Sequence, residues 1–296
     1  MNQSRIMLRL DTPEASDLFL LLEAAFEEDG YAISHFEVEP DNPDSLEWTI
    51  DIYVPKEELT EVLDRIEGLR TNDMSGLKLT HEDVGDEDWV AMSLEGLRPV
   101  AAGRFFVHGA HDKALIPAGA VGVEIEAGQA FGTGHHGTTA GCLEALEYVL
   151  RRRSFERIFD MGTGTGLLAI AIAKACHQPV LASDIDVVSV VVARENAQLN
   201  QVANRIHVVE ANGMHHAAIR ITAPFDLIVA NILAGPLMTM AGEIGGQLAA
   251  GGTLILSGIL DAQANRVVAA YVAHGLALQR RASREGWTTL TFCAVL

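Results

Sequence analysis

The densest chemical signal in this chain is Phe159-Asp160-Met161-Gly162-Thr163-Gly164-Thr165-Gly166-Leu167-Leu168. An apolar strand runs into a turn with glycine at every second position, and a helix is expected behind it over Leu168–Ala175. Glycines let a backbone turn tightly and approach a ligand with no Cβ in the way. A helix start behind such a turn offers unpaired N–H groups. The spacing is G-x-G-x-G, whereas the dinucleotide fingerprint is G-x-G-x-x-G. Asp160, just before the first glycine, would face a pyrophosphate unfavourably and suits a ligand that carries a cation. The plain alternative is a glycine turn that only packs a helix on a strand.

Asp184-Ile185-Asp186 follows, with Asp184 placed 22 residues after Gly162. An acid at the carboxyl end of the second strand of an α/β sheet is placed to accept hydrogen bonds from ribose hydroxyls. Capping the next helix is the competing role, and Asp186 is the better candidate for it.

The elements around these residues read as α/β. Short apolar runs with little alternation recur between helical stretches at Arg157–Met161, Pro179–Ser183, Ile206–Val209, Asp226–Asn231, Thr253–Ser257 and Thr288–Val295. Such runs suit strands covered by helices on both faces, as in a doubly wound sheet. Upstream the pattern is different. Strands are expected at Ser4–Leu10, Ala32–Val38, Leu46–Val54 and Leu77–Val84. A helix opens at Thr12-Pro13 with Leu18, Leu21, Leu22, Ala25 and Phe26 on one face, and a second carries Leu59, Val62, Leu63 and Ile66. In Leu46–Val54 the even positions from Leu46 to Val54 point to a core, and Glu47, Thr49 and Asp51 to a wet face. The order βαββαβ is the ferredoxin-like pattern. A domain over 1–85, a linker over 86–100 and a second domain over 101–296 follow.

Composition narrows the class. The 296 residues suit two domains, and 49% apolar with 21% charged residues describes a folded chain. No apolar run is long enough to span a bilayer. Residues 1–10 carry Arg5 and Arg9 and lack a signal-peptide core. Three scattered cysteines exclude a disulfide framework. A cytoplasmic protein is expected. The net charge of −19 is uneven: residues 1–100 hold 7 Lys and Arg against 25 Asp and Glu, and residues 101–296 hold 14 against 15. The acidic part repels phosphate backbones, so no direct nucleic-acid binding is expected through it. It attracts a basic partner, or serves only as a solvated surface.

The combination Asp-x-Gly-x-Gly-x-Gly with an acid after the next strand resembles the class I S-adenosylmethionine-dependent methyltransferases. Two further segments sharpen the resemblance: Glu126-Ala127-Gly128-Gln129-Ala130-Phe131-Gly132-Thr133-Gly134-His135-His136-Gly137-Thr138-Thr139 and Ala230-Asn231-Ile232-Leu233-Ala234-Gly235-Pro236-Leu237. Together they resemble the PrmA family, which methylates amino groups of large-subunit ribosomal protein L11. The resemblance covers the whole chain. It implies a ferredoxin-like substrate-recognition domain, a linker and a Rossmann-like methyltransferase domain. In one place the chain departs from it: the family's Gly-Thr-Gly-Thr-His-Pro-Thr-Thr stands here with His135 and Gly137 for a Thr and the Pro, which loosens the loop. Adjacent histidines lack metal-ligand spacing, and no metal is expected.

The resemblance puts cofactor contacts at Thr139, Gly162, Asp184 and Asn231. Thr139 would cap a helix or donate to the methionyl carboxylate, Gly162 and Gly164 would admit the ligand to the backbone, and Asp184 would take the ribose. Asp160 would help to hold the charged end, and Asn231 would orient the incoming amine as the catalytic residue. The segment Glu210-Ala211-Asn212-Gly213 is where this fold meets an adenine. The implied substrate amines are lysine side chains and the N-terminal amine of L11; a monomer is expected. An alternative keeps the cofactor and methylates a glutamine amide of another translation-related protein, since Asn231-Ile-Leu-Ala is a relative of Asn-Pro-Pro-Tyr. This chain lacks that motif's aromatic, which favours an aliphatic amine. A non-catalytic nucleotide-binding protein and an NAD-dependent reductase are the remaining readings.

Overall fold

A computed structural model of the chain describes residues 3–11, 18–19, 21–22, 25–26, 31–37, 47–69, 77–84, 99–125 and 136–295. The expected linker up to residue 98, the loop 126–135, the turn at 41–44 and most of the first expected helix lie outside the described residues. The chain divides into two compact units, Met1–Met92 and Ser93–Leu296.

In the first unit, β1 (Gln3–Asp11), β2 (Ala32–Glu37), β3 (Glu47–Pro55) and β4 (Lys78–Val84) form an antiparallel sheet in the order β2-β3-β1-β4. This is the ferredoxin-like arrangement. Period-two alternation puts Ile6, Leu8, Leu10, Ile50, Ile52 and Val54 on one face. There they pack with Leu18, Leu22 and Phe26 and with Val62 and Ile66 of α1 (Leu59–Gly68). Leu21, expected on that packed face, is 42% exposed.

The opposite face of β3 corrects a second expectation. Thr49 and Asp51 are 5% and 1% exposed, not wet. Arg5 on β1 reaches across the sheet and donates to Asp51 from Nη2 and Nε at 2.5 and 2.9 Å. Its third nitrogen meets Glu82 on β4 at 3.2 Å. Burial pushes the Asp51 carboxyl above its usual range, and Arg5 pulls against that rise. Alternation alone could not reveal a guanidinium lying over the acid.

The second unit is built on a seven-stranded sheet of β8 (Ile158–Met161), β9 (Val180–Asp184), β10 (Ile206–Glu210), β11 (Phe225–Asn231), β12 (Leu248–Leu260), β13 (Leu276–Arg284) and β14 (Trp287–Ala294). The order is β10-β9-β8-β11-β12-β14-β13, parallel from β10 to β12, with β14 antiparallel to both its neighbours. The chain order reverses between β8 and β11, which opens a crevice at the carboxyl ends of those strands.

Helices cover both faces of this sheet. On one side α2 (His136–Leu150), α3 (Leu167–Cys176) and α4 (Val187–Leu199) bury Leu143, Ile170 and Val190 against Ile158, Leu227 and Val229. On the other, α5 (Ala217–Thr222), α6 (Ala234–Thr239), α7 (Ala241–Gly246) and α8 (Ala264–Ala273) bury Ile219, Leu237, Ile244 and Tyr271 against Phe159, Ile228 and Leu254. The fold is Rossmann-like, as expected.

Three short strands, β5 (Val100–Ala102), β6 (Phe105–His108) and β7 (Val121–Glu124), form a small separate sheet that the sequence did not suggest. Runs of three or four residues are too short to show a period. The strand β13, with Arg280, Arg281 and Arg284, also went unforeseen because it is a polar sheet edge.

Gly137 and Gly141 shape the start of α2. They lie four residues apart on one helix face. A Cβ on Gly141 would come within 2.2 Å of Thr289 Oγ1, and one on Gly137 within 3.0 Å of the Arg284 carbonyl oxygen. At these two positions the helix brings no side chain of its own to its contact with β13 and β14.

Candidate functional site

The chain leaves β8 through three left-handed glycines, with φ of 69° at Gly162, 52° at Gly164 and 83° at Gly166. Only glycine takes that backbone without strain. The N–H groups of Gly162 and Thr163 both donate to the Ser183 carbonyl on β9, each at 2.9 Å. Gly166 then opens α3.

Asp160 organises this turn from below. It is fully buried. Its Oδ2 accepts the Thr163 hydroxyl at 2.6 Å and the Ala169 N–H, in the first turn of α3, at 3.0 Å. Its Oδ1 is buried and, among the described residues, has no partner. A buried acceptor without a donor is costly in a folded protein unless a ligand or water supplies one. Burial raises the Asp160 carboxyl to about 6; the bonds from Thr163 and Ala169 oppose the rise and the nearby charge of Asp184 adds to it.

Asp184 ends β9, half-buried, and both its oxygens hold backbone. Oδ2 accepts the Gly164 N–H at 2.8 Å and Oδ1 the Asp186 N–H at 3.0 Å. A carboxylate has about four lone-pair sites, so two such bonds leave capacity for hydroxyl donors. Asp186 caps α4, accepting from the N–H groups of Val188 and Ser189 and from the Ser189 hydroxyl.

On the other side of the reversal, Asn231 ends β11 and pairs in register with Ser257 on β12. It is half-buried, and among the described residues nothing hydrogen-bonds its side-chain amide. Behind it Ile232 lies between Gly162 and Gly258, the latter in a bulge of β12. Leu233 follows, 57% exposed.

Thr139 is buried at 4% exposure. Helix α2 is already under way at His136, so Thr139 stands within it and is not its cap. Gly137, expected to loosen a loop, is helical here and packs close to β13. The neighbouring Thr138 carbonyl accepts the Ser257 hydroxyl at 3.3 Å, and Ser257 also meets Thr289 Oγ1 at 3.1 Å. The start of α2 is thereby pinned to the end of β12, beside Asn231.

Asp160, Gly162, Gly164, Asp184 and Asn231 thus gather at the carboxyl ends of three adjacent strands, with Thr139 held to a fourth. The Ala-Phe-Gly-Thr-Gly loop falls outside the described residues. Asn212 has its carbonyl bonded to His215 at 3.1 Å and is exposed. Sequence reasoning missed Thr163, Ser183, Ser257 and Gly258. Thr163 had a signal, since a hydroxyl three residues past a buried acid can reach back to it. The rest come from distant strands and had none. A separate depression lined by Arg157, Pro179, Arg205 and His207 lies at the opposite, amino end of β8–β10, away from these groups. The arrangement suits a ligand that offers a cation to an acid and hydroxyls to another, next to an amide free to orient a second molecule.

Comparison with known proteins agrees in kind. The family described as "Ribosomal protein L11 methyltransferase (PrmA)" matches residues 20–294. A curated protein of Mesorhizobium japonicum named ribosomal protein L11 methyltransferase is 48% identical over 294 residues, which covers 98% of this chain and 99% of that one. One of the same name from Brucella suis is 47% identical over 290 residues, covering 98% and 99%. Among solved structures, a ribosomal protein L11 methylase of Lactobacillus delbrueckii subsp. bulgaricus superposes with a TM-score of 0.60 at 26% identity, covering 67% of this chain and all of that one.

Proposed function

The chain belongs to the ribosomal protein L11 methyltransferase (PrmA) family, and from that premise we propose that it transfers methyl groups from S-adenosylmethionine to amino groups of ribosomal protein L11. Lysine side chains and the N-terminal amine are the acceptors. Family membership favours this substrate over the glutamine amide.

One observation carries the site assignment: a fully buried Asp160 with one oxygen engaged and one unpartnered, beneath a turn of left-handed glycines. That fits a cofactor whose methionyl end bears an ammonium. Asp160 meets this charge, the absence of side chains at Gly162 and Gly164 lets the ligand approach the turn, and Asp184 accepts the ribose hydroxyls. Thr139, through its hydroxyl, serves the carboxylate. When bound, the cofactor supplies a methyl group on a positively charged sulfur, already activated for displacement.

The chain's own work is to hold a neutral amine in line. A lysine near pKa 10.4 costs about 4.6 kcal/mol to hold uncharged at pH 7, from about 3.4 units at 1.36 kcal/mol each. Desolvation in the crevice lowers that cost. Asn231 accepts a hydrogen bond from the amine through its free amide, which directs the lone pair toward the methyl group. Exposed Leu233 beside it offers an apolar surface to a lysine stem. The amine proton leaves to water, and no dedicated base is required.

The unit Met1–Met92 recognises the substrate. Its large negative charge attracts a basic ribosomal protein, and direct nucleic-acid binding is not part of the reading. A monomer working in the cytoplasm is the corresponding form. Among the described residues no helix is long and apolar enough to cross a membrane.

The test is direct. Purified chain, labelled S-adenosylmethionine and L11 are incubated and the product mapped by mass spectrometry. Labelled amines on L11 support the proposal. A label on a glutamine amide of another protein, or none with bound cofactor, sinks it.

A further inference from the structure

Two glycines, one in the turn after β8 and one on β12, make room for one residue. A Cβ on Gly162 would lie 2.4 Å from Ile232 Cγ2. A Cβ on Gly258 would lie 2.4 Å from the Ile232 carbonyl oxygen and 2.8 Å from its carbon. Both positions have left-handed backbones, with φ of 69° and 79°. The γ2-methyl of Ile232 is therefore seated on the turn after β8, and its peptide on the bulge of β12. A β-branched side chain is stiff at χ1. With the methyl fixed on one side and the carbonyl on the other, the backbone of Ile232 has little freedom, and Asn231 is joined directly to it.

Building on the methyl-transfer reading above, we propose that Ile232 is a positioning residue. Its γ2-methyl against Gly162 sets the separation between the donor turn and the Asn231 amide, and so aligns the two reactants. Its contact is with the backbone of the turn. Displacement of a reacting group by about 1 Å can cost about 100-fold in rate, so a lost methyl contact reads out chiefly in the chemical step.

The full-length chain carrying Ile232→Val, Ile232→Leu or Ile232→Ala tests this. Valine keeps both γ carbons. Leucine keeps the volume of isoleucine but moves the branch one bond outward, and such swaps are well tolerated in folding. The measurements are kcat with L11 at saturating donor, KM for L11, calorimetric Kd for S-adenosylhomocysteine and the thermal midpoint. Valine is expected to hold kcat within about twofold of wild type. Leucine and alanine are expected to lower it about tenfold or more, with the Kd for S-adenosylhomocysteine within about threefold. Leucine performing as well as valine would reduce Ile232 to an apolar filler and overturn the proposal. A loss confined to Kd, with kcat intact, would overturn it as well. Wild-type chain that binds S-adenosylhomocysteine yet methylates nothing on L11 marks failure of the functional reading itself, visible before any variant is compared.

Discussion

The carboxylate of Asp184 accepts the amide N–H of Gly164 at 2.8 Å, so the acid ending β9 and the middle of the glycine turn after β8 form one unit. Removing the acid disturbs both ribose binding and the turn. Asp184→Ala is expected to weaken S-adenosylhomocysteine binding at least about tenfold, equivalent to about 1.4 kcal/mol. Asp184→Asn, which keeps an acceptor for Gly164 without the charge, falls between. Calorimetry decides; wild-type affinity in the alanine variant would limit Asp184 to bracing the turn.

Asp160 gives the protein a pH signature. Burial pushes its carboxyl up to about 6 in the folded chain, above the ordinary 3.8 of an exposed aspartate. Between those values the native state holds more protons than the unfolded one, so the stability of the cofactor-free protein falls as pH rises through about 6. The full effect is on the order of 3 kcal/mol, at 1.36 kcal/mol per unit. Cofactor affinity runs the other way, because the ionised carboxylate is the form that pairs with an ammonium. Urea midpoints and calorimetry between pH 4 and 8 should show opposite slopes, both flattened in Asp160→Asn. Parallel slopes would remove Asp160 from the ammonium site.

Gly258 has no substitute. An alanine there would put its methyl 2.4 Å from the Ile232 carbonyl oxygen, on a left-handed backbone. Strain and overpacking each cost about 1–3 kcal/mol. Thermal denaturation of Gly258→Ala should show a loss of about 2 kcal/mol or more, with activity reduced beyond what unfolding explains. A variant as stable as wild type would mean the bulge relaxes freely.

Asn231→Ala separates chemistry from cofactor binding. Losing a group that orients the reacting amine is expected to lower kcat about 100-fold or more. The cofactor-only Kd should change less than about fivefold. Equal losses in both would make Asn231 a cofactor ligand first.

Charge in the first unit predicts a salt effect. Raising ionic strength from about 0.01 to 0.15 M shortens the Debye length from about 30 to 8 Å. Capture of L11, followed by stopped flow, should slow several-fold, while binding of S-adenosylhomocysteine changes little. Equal sensitivity would argue that the acidic surface only keeps the protein in solution.

Local signals carried much of this organisation. Continuous apolar runs marked the buried parallel strands, and alternation marked the core face of β3. The glycine spacing and Asp160 identified the turn because the glycines, the buried acid and the start of the next helix lie within ten consecutive residues. What escaped notice depends on partners far along the chain. Asp51 was assigned to water because Arg5, 46 residues away, covers it. Gly137 was expected to loosen a loop, because the strands that accept its bare face lie beyond residue 280. Nothing local showed that two glycines 96 positions apart meet on Ile232.

The bare face of α2 has a further effect. With no side chain on Gly141, the Thr289 side chain of the antiparallel strand bears directly on the helix backbone two residues from Thr139. Thr289, 150 positions along the chain from Thr139, is thereby coupled to the crevice through Gly141 on one side and Ser257 on the other.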